Sequence, residues 1–320
     1  MRAIIFDGTE ATVRDDWPEP QPRDGEVLLA VRVAGVCRTD LEVLAGYMGF
    51  SGVMGHEFVG EVLNGTGADA GPSGRVVAEI NCPCGACDMC RRGAPNHCRT
   101  RPVLGIDRHD GVFAERVVVP AGSVHAVPET VSDEAAVFVE PLAAAFRILE
   151  QVAVTGEMRV LVLGDGRLGQ LIARVLSRRA GELMLVGRHA GKLALAGAHG
   201  ITTARADAFE SAADADVVVD ATGTPQGFTT ALAAVRPQGT LVLKSTFAAE
   251  GGLNLAPVVV DEVTVVGSRC GPFDRAIEAL ATGRIDPTDL VSARFALSEG
   301  VAALEAAGNR DNLKVLIDVA

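Results

Sequence analysis

The chain has 320 residues, 48% of them hydrophobic, which is length enough for two apolar cores and about two domains of ~150 residues each. Glycine at 36 positions and only 4% aromatics favour an α/β protein with many tight turns over an all-β sandwich. A formal net charge of −12 excludes a nucleic-acid partner and an anionic membrane surface, each of which needs a basic face, and no run of 18 apolar residues occurs. The amino terminus, Met1-Arg-Ala-Ile-Ile-Phe-Asp7, enters a strand-like run without an apolar leader core, so a soluble, cytoplasmic protein is expected.

The first 140 or so residues read as short strands broken by turns. Glu26 to Ala34 alternates, Phe58 to Leu63 and Arg75 to Ile80 are rich in β-formers, and Gly111 to Pro120 alternates again, a pattern that predicts a small mixed or antiparallel barrel-like module. Cys37-Arg38-Thr39-Asp40 follows the first of these strands, and Gly55-His56-Glu57 brings a histidine nineteen residues after Cys37. A lone Cys is usually a small buried hydrophobe and a lone His a satisfied polar residue, but in combination they are better explained as zinc ligands. Cys84, Cys87, Cys90 and Cys98 then fall within fifteen residues. That spacing folds four thiolates around one tetrahedral zinc, and a reducing compartment keeps them from pairing as disulfides. Four protein ligands leave no open position, so this zinc orders a loop and does no chemistry. Cys82 and Cys270 match no ligand position and read as inert packing residues.

After Pro141 apolar strands of four to six residues alternate with Ala-rich segments of helical period, the mark of a parallel sheet built from βαβ units. The predicted strands are Arg159 to Leu163, Glu182 to Val186, Asp216 to Asp220, Gly239 to Lys244 and Glu262 to Gly267. Val160-Leu-Val-Leu-Gly164-Asp-Gly166-Arg167-Leu168-Gly169 places the GxGxxG pattern between a strand and a helix, the context that a dinucleotide loop requires. Gly164 permits the turn, Gly166 the approach of a pyrophosphate, and Gly169 the packing of helix on strand, with Arg167 and Leu168 completing the loop at the helix amino terminus. The second strand ends Val186-Gly187-Arg188-His189, with Lys192 close behind, where an NAD site usually carries an acid for the ribose hydroxyl. Gly187 is expected to leave room for a 2′-phosphate gripped by Arg188, with charge added by His189 or Lys192, so NADP(H) is preferred over NAD(H). An acid introduced at 187 should act against the 2′-phosphate, and together with Arg188→Ala it should reverse the preference. Lys192, Lys244 and Lys314 are the only lysines among 29 basic residues, so a single arginine is weak evidence by itself. The tail from about Asp286 ends in the strand-like Leu313 to Val319 and is expected to return to the first module, giving domains of 1–147 with 286–320 and of 148–285.

With Cys-x-Thr-Asp, Gly-His-Glu, the four-cysteine loop and the late GxGxxG in one order, the chain resembles the zinc-dependent medium-chain dehydrogenase/reductase superfamily of alcohol, polyol and threonine dehydrogenases. The resemblance covers essentially the whole chain. It implies an α/β fold made of a GroES-like β-rich catalytic domain and a Rossmann doubly wound parallel-sheet domain, with the active site in the cleft between them. It also implies roles. Cys37 and His56 match the first two catalytic-zinc ligands, and Glu140, in Phe138-Val-Glu140-Pro-Leu, matches the carboxylate ligand of the polyol-dehydrogenase-like branch. Glu57 can exchange onto the metal, Asp40 holds the His56 tautomer, and Thr39 is the hydroxyl between substrate oxygen and solvent. Thiolate plus carboxylate neutralise the dication, so Cys37, His56 and Glu140 are expected as the resting set and Glu57 as the exchange ligand. Where many relatives carry a relay histidine this chain has Glu42, which is either the outer base or a solvated surface carboxylate. Tyr47, Met48 and Phe50 either line the substrate pocket or belong to the core.

These readings together describe an oxidoreductase with two zinc ions per chain that transfers hydride between NADP(H) and a small-molecule alcohol or polyol, or the corresponding aldehyde or ketone. A homodimer or homotetramer formed through the Rossmann domain, along the edge near Val258 to Gly267, is implied. The rivals are a zinc-free quinone or enoyl reductase of the same superfamily and a non-enzymatic NADPH-binding redox sensor.

Overall fold

An eleven-residue strand, β1 (Glu26–Val36), alternates buried and half-buried residues until Arg32 and is then buried on both faces to its end. It leads directly into the short helix α1 (Arg38–Leu44), with Cys37 as the N-cap residue. Around β1 lie β2 (Glu57–Gly65), β3 (Arg75–Ala78), β4 (Arg116–Pro120) and β5 (Val124–Ala126), paired antiparallel as β1 with β2, β1 with β4, β2 with β3 and β3 with β5. A second, three-stranded sheet pairs Ala3–Phe6 with Ala11–Arg14 and with Gly52–Val53. Phe6, Leu29, Met54, Phe113 and Phe138 are fully buried in this part of the chain, each contributing about 1.5–3 kcal/mol by burial. The computed structural model describes residues 1–65, 72, 74–246 and 252–319.

Helix α2 (Val139–Gln151) straddles the division between two units, Met1–Glu140 with Phe273–Ala320 and Pro141–Pro272. The second unit alternates β6 (Arg159–Leu163), α3 (Arg167–Leu176), β7 (Glu182–Gly187), α4 (Ala190–Ala198), β8 (Thr202–Arg205), β9 (Ala215–Asp220), α5 (Pro225–Ala234), β10 (Val235–Leu243), α6 (Ala256–Val260) and β11 (Thr264–Gly267). Every pair in its sheet is parallel, in the order β8-β7-β6-β9-β10-β11. The order reverses between β6 and β9, the switch point beyond which doubly wound sheets bind nucleotides. Leu161, Leu163, Val218, Phe228 and Leu241 form the core on one side of this sheet.

The chain then returns through α7 (Phe273–Ala281), β12 (Val291–Ala296) and β13 (Lys314–Asp318). Strand β13 runs antiparallel to β1, with Val315 opposite Val36, and parallel to β12, which completes a mixed seven-stranded sheet. The unit limits fall at Glu140/Pro141 and Pro272/Phe273, earlier than the expected 147/148 and 285/286. Helix α7 explains the later limit. Its buried Phe273, Ala276 and Leu280 recur at helical spacing, Phe273 stacks on His125 at 5.2 Å between ring centroids, and Asp274 Oδ1 lies 3.2 Å from His125 Nδ1.

Candidate metal centres and dinucleotide loop

Strand register gathers the first group. Gly35 pairs with Glu57 and Val36 with Val315, so Cys37, His56 and Lys314, each one residue beyond a paired position, arrive at the same end of the sheet. One ligand atom from each of Cys37, His56 and Glu57 lies within 4.8 Å of the others. Asp40 ties the first two together. Its Oδ2 accepts the Cys37 backbone N–H at 2.7 Å and its Oδ1 lies 3.1 Å from His56 Nδ1, with both side chains buried. Burial opposes a charge on His56, but Asp40 and Cys37 outweigh it and raise its pKa well above the ordinary value. The Cys37 thiol donates to Thr39 Oγ1 at 3.7 Å.

Sequence reasoning missed Lys314. Its side chain is fully buried, ion-paired with Glu57 Oε2, and 5.5 Å from the centroid of the Phe138 ring. A Cβ on Gly35 would overlap Lys314 Cε and Nζ, so glycine is what lets the lysine pass the strand. Burial lowers the Lys314 pKa to about 8, with Cys37 and Asp40 acting in the other direction. The signal available was that lysine is rare here and one of three stands in the last strand.

Glu140 lies in the first turn of α2, half-buried, and is not part of the Cys37–His56–Glu57 group. The carboxylate that the structure brings to Cys37 and His56 is therefore that of Glu57, whose charge is matched by Lys314. Glu42 sits on the exposed face of α1 in an ion pair with Arg38 at 2.8 Å, the solvated-surface arrangement. Tyr47 and Met48 are 45% and 55% exposed and Phe50 is buried, which divides those three between surface and core.

Cys84, Cys87, Cys90 and Cys98 form the second group, all four sulfurs within 4.8 Å of one another. Tetrahedral zinc, with Zn–S of about 2.3 Å, sets its sulfurs about 3.8 Å apart, inside that limit. Backbone N–H groups of Cys84 and Thr100 pull the Cys98 pKa down to about 6, toward the thiolate that a cation takes, whereas desolvation pushes Cys90 up to about 12, in the opposite direction. No disulfide is formed among the seven cysteines. Cys82 is buried, and desolvation raises its pKa to about 12, as befits an inert thiol.

In the second unit the glycine-rich turn joins β6 to α3. Gly164 has φ +112°, and a Cβ on Gly169 would overlap the Gly164 carbonyl, so helix and loop touch backbone to backbone. A Cβ on Gly166, the N-cap residue of α3, would stand in open space, which leaves the helix amino terminus clear for an anion. Arg167 and Leu168 are half-buried in the first turn. Arg188 is exposed beyond the end of β7. His189 is the N-cap residue of α4, and its ring pairs with Asp165 at 3.1 Å. Lys192 is buried in α4, where its carbonyl accepts from Gln170 Nε2 at 2.7 Å. The space expected at Gly187 is taken: a Cβ there would overlap the Asp165 side chain. The expectation of an open pocket at 187 is corrected on this point, because a neighbouring loop residue fills the room that the glycine leaves.

Residues 23–129 match the alcohol dehydrogenase GroES-like domain and residues 168–282 the zinc-binding dehydrogenase family. L-threonine 3-dehydrogenase of Streptomyces avermitilis is 30% identical, with 99% of each chain covered. The chain belongs to the zinc-dependent medium-chain dehydrogenase/reductase superfamily. Within this superfamily, sorbitol dehydrogenase of Halalkalibacterium halodurans is 28% identical over 99% of both chains. Two solved structures share the fold closely. A zinc-binding dehydrogenase from Sinorhizobium meliloti 1021 bound to NADP superposes with a TM-score of 0.90 at 27% identity, covering 99% of each chain. A short chain alcohol dehydrogenase from E. coli CFT073 complexed with NADH gives 0.89 at 26% identity, covering 100% of this chain and 99% of that one. The first unit is thus the GroES-like β-rich domain of a medium-chain dehydrogenase, the second is its Rossmann domain, and the chain is an oxidoreductase. No helix among the described residues is long and apolar enough to cross a membrane.

Proposed function

We propose that this medium-chain dehydrogenase is a zinc-dependent enzyme, NADP(H)-preferring, that interconverts a small alcohol or polyol and its aldehyde or ketone. The convergence of Cys37, His56 and Glu57 carries the zinc reading, since a zinc-free reductase has no use for a thiol, an imidazole and a carboxylate within 4.8 Å. Zinc bound there supplies a Lewis acid to the substrate oxygen, and the four-cysteine group holds a second, structural zinc. Cys37 and His56 are the fixed donors. Glu57 and Glu140 are the alternative third donors, one neutralised by Lys314 and one at the start of α2. Asp40 fixes the His56 ring, and Thr39 offers a hydroxyl beside Cys37 for moving a proton to or from the substrate.

The cofactor reading rests on the missing strand acid and the exposed Arg188 guanidinium at the same corner. One solved neighbour is bound to NADP and the other to NADH, so preference is this chain's own property. An oligomer formed at the β11 edge is supported by the large exposed apolar residues Leu255, Val259, Val260 and Val265 around that strand. A panel of alcohols and carbonyls assayed with all four nicotinamide cofactors tests the proposal. Chelator-sensitive turnover is expected, with Arg188→Ala weakening NADPH roughly ten- to hundredfold and NADH little. Turnover that ignores chelator would favour the zinc-free reductase, and cofactor binding without turnover the sensor.

A further inference from the structure

The acid missing from the end of β7 is present at the same corner on another segment. An ideal Cβ on Gly187 would lie 2.5 Å from both Asp165 Cγ and Oδ2, and closer still to Asp165 Cβ. Asp165 is the residue between Gly164 and Gly166 in the glycine-rich loop, and it is only 6% exposed. Its Oδ2 accepts the backbone N–H of Arg188 at 2.7 Å and of His189 at 2.6 Å, and His189 Nδ1 lies 3.1 Å from both carboxylate oxygens. Desolvation raises its pKa, but these His189 and Arg188 donors prevail and hold it below the usual carboxylate value. The carboxylate is therefore ionised, buried and engaged by protein donors, with its oxygens committed to the Arg188–His189 turn.

We propose that Asp165 and Gly187 act as one unit in setting which dinucleotide this chain accepts. The corner's carboxylate stands on the loop and faces the β7–α4 turn, where it does not serve the ribose hydroxyls. Asp165 is a positioning residue: it anchors the backbone of Arg188, leaves the 2′ position to that guanidinium, and keeps residue 187 a glycine. An acid cannot be placed on the strand while Asp165 stays, because two side chains would share one volume. This inference rests on the dinucleotide reading of the loop.

The test is a double-mutant cycle on the full chain, read by nicotinamide fluorescence titration with NADPH and with NADH and by Tm. Gly187→Asp alone should lower Tm and weaken both cofactors. Asp165→Ala alone should lower Tm through the loosened turn. Adding Asp165→Ala to Gly187→Asp should raise Tm above that of Gly187→Asp, and should shift the ratio of NADPH to NADH dissociation constants toward NADH at least tenfold relative to the unmodified chain. If Gly187→Asp by itself keeps the parental Tm and shifts the ratio as far as the double variant, the two positions are independent and the inference is overturned. A double variant no more stable than Gly187→Asp also overturns it. Failure of the unmodified chain to bind either cofactor would instead remove the dinucleotide reading, and the inference with it.

Discussion

The four cysteines at 84–98 come from one loop, and all but Cys98 are at least partly exposed, whereas Cys37, His56 and Glu57 come from the ends of paired strands and are backed by Lys314, 257 residues from Glu57. One group is assembled by its own short segment, with backbone N–H groups preparing a sulfur for a cation. The other exists only when the seven-stranded sheet has closed in the right register, because a one-residue slip of β13 against β1 would turn Lys314 to the opposite face. The difference separates a site that holds a loop in place from a site whose buried charges depend on the whole unit. On the proposed reading it also assigns the chemistry, since a closed set of four donors would have no position for substrate and the strand-end group would.

The contrast is sharpest in catalysis. Cys37→Ser should lower kcat/KM by about a thousandfold or more, as expected when a Lewis acid worth several kcal/mol is lost. Cys87→Ser should lower Tm while some turnover persists. Comparable losses of turnover without loss of Tm in both variants would erase the distinction between the sites.

A smaller but still large effect is expected in the support of the strand-end group. Lys314→Met leaves the Glu57 carboxylate buried without its partner, which should cost about 3–5 kcal/mol in chemical denaturation, and adding Glu57→Gln should recover part of that loss. Full stability in Lys314→Met would mean that the ion pair is not a structural element of this unit.

The smallest effect lies away from both groups, at His125, whose ring contacts Glu79 Oε1 at 3.1 Å and Asp274 Oδ1 at 3.2 Å. Its pKa is raised chiefly by the Glu79 hydrogen bond against the opposing effect of burial, with Asp274 adding to it. A raised histidine pKa stabilises fully below the unfolded value of about 6.5 and is lost as pH rises through the folded one. The stability difference between the parent and His125→Gln, on the order of 1 kcal/mol, should therefore shrink from pH 6 to pH 8. A difference that grows over that interval would contradict the assignment.

Much of this was legible in the sequence where the signal is local. The cysteine spacing, the glycine-rich turn and the apolar strands β6, β7 and β9 each declare themselves within a few residues. Strand β8 did not, because Thr202–Arg205 is a half-exposed edge strand with no apolar alternation. Neither did Lys314 or Asp165, whose importance comes from partners far off in the chain or across a turn. Asp165 reads as an unconstrained position of the GxGxxG pattern until Gly187 is brought against it. Glu42 reads as a relay candidate until Arg38, four residues before it on the same helix, takes its carboxylate.

The central claim, that the GroES-like unit carries one closed and one open zinc site, is tested most directly by elemental analysis of the purified chain and of Cys37→Ser and Cys87→Ser, before and after mild chelation. Two zinc ions per chain are predicted, one removed by chelator, with Cys37→Ser retaining only the chelator-resistant ion and Cys87→Ser losing that ion instead. A single zinc that survives Cys37→Ser would contradict the account.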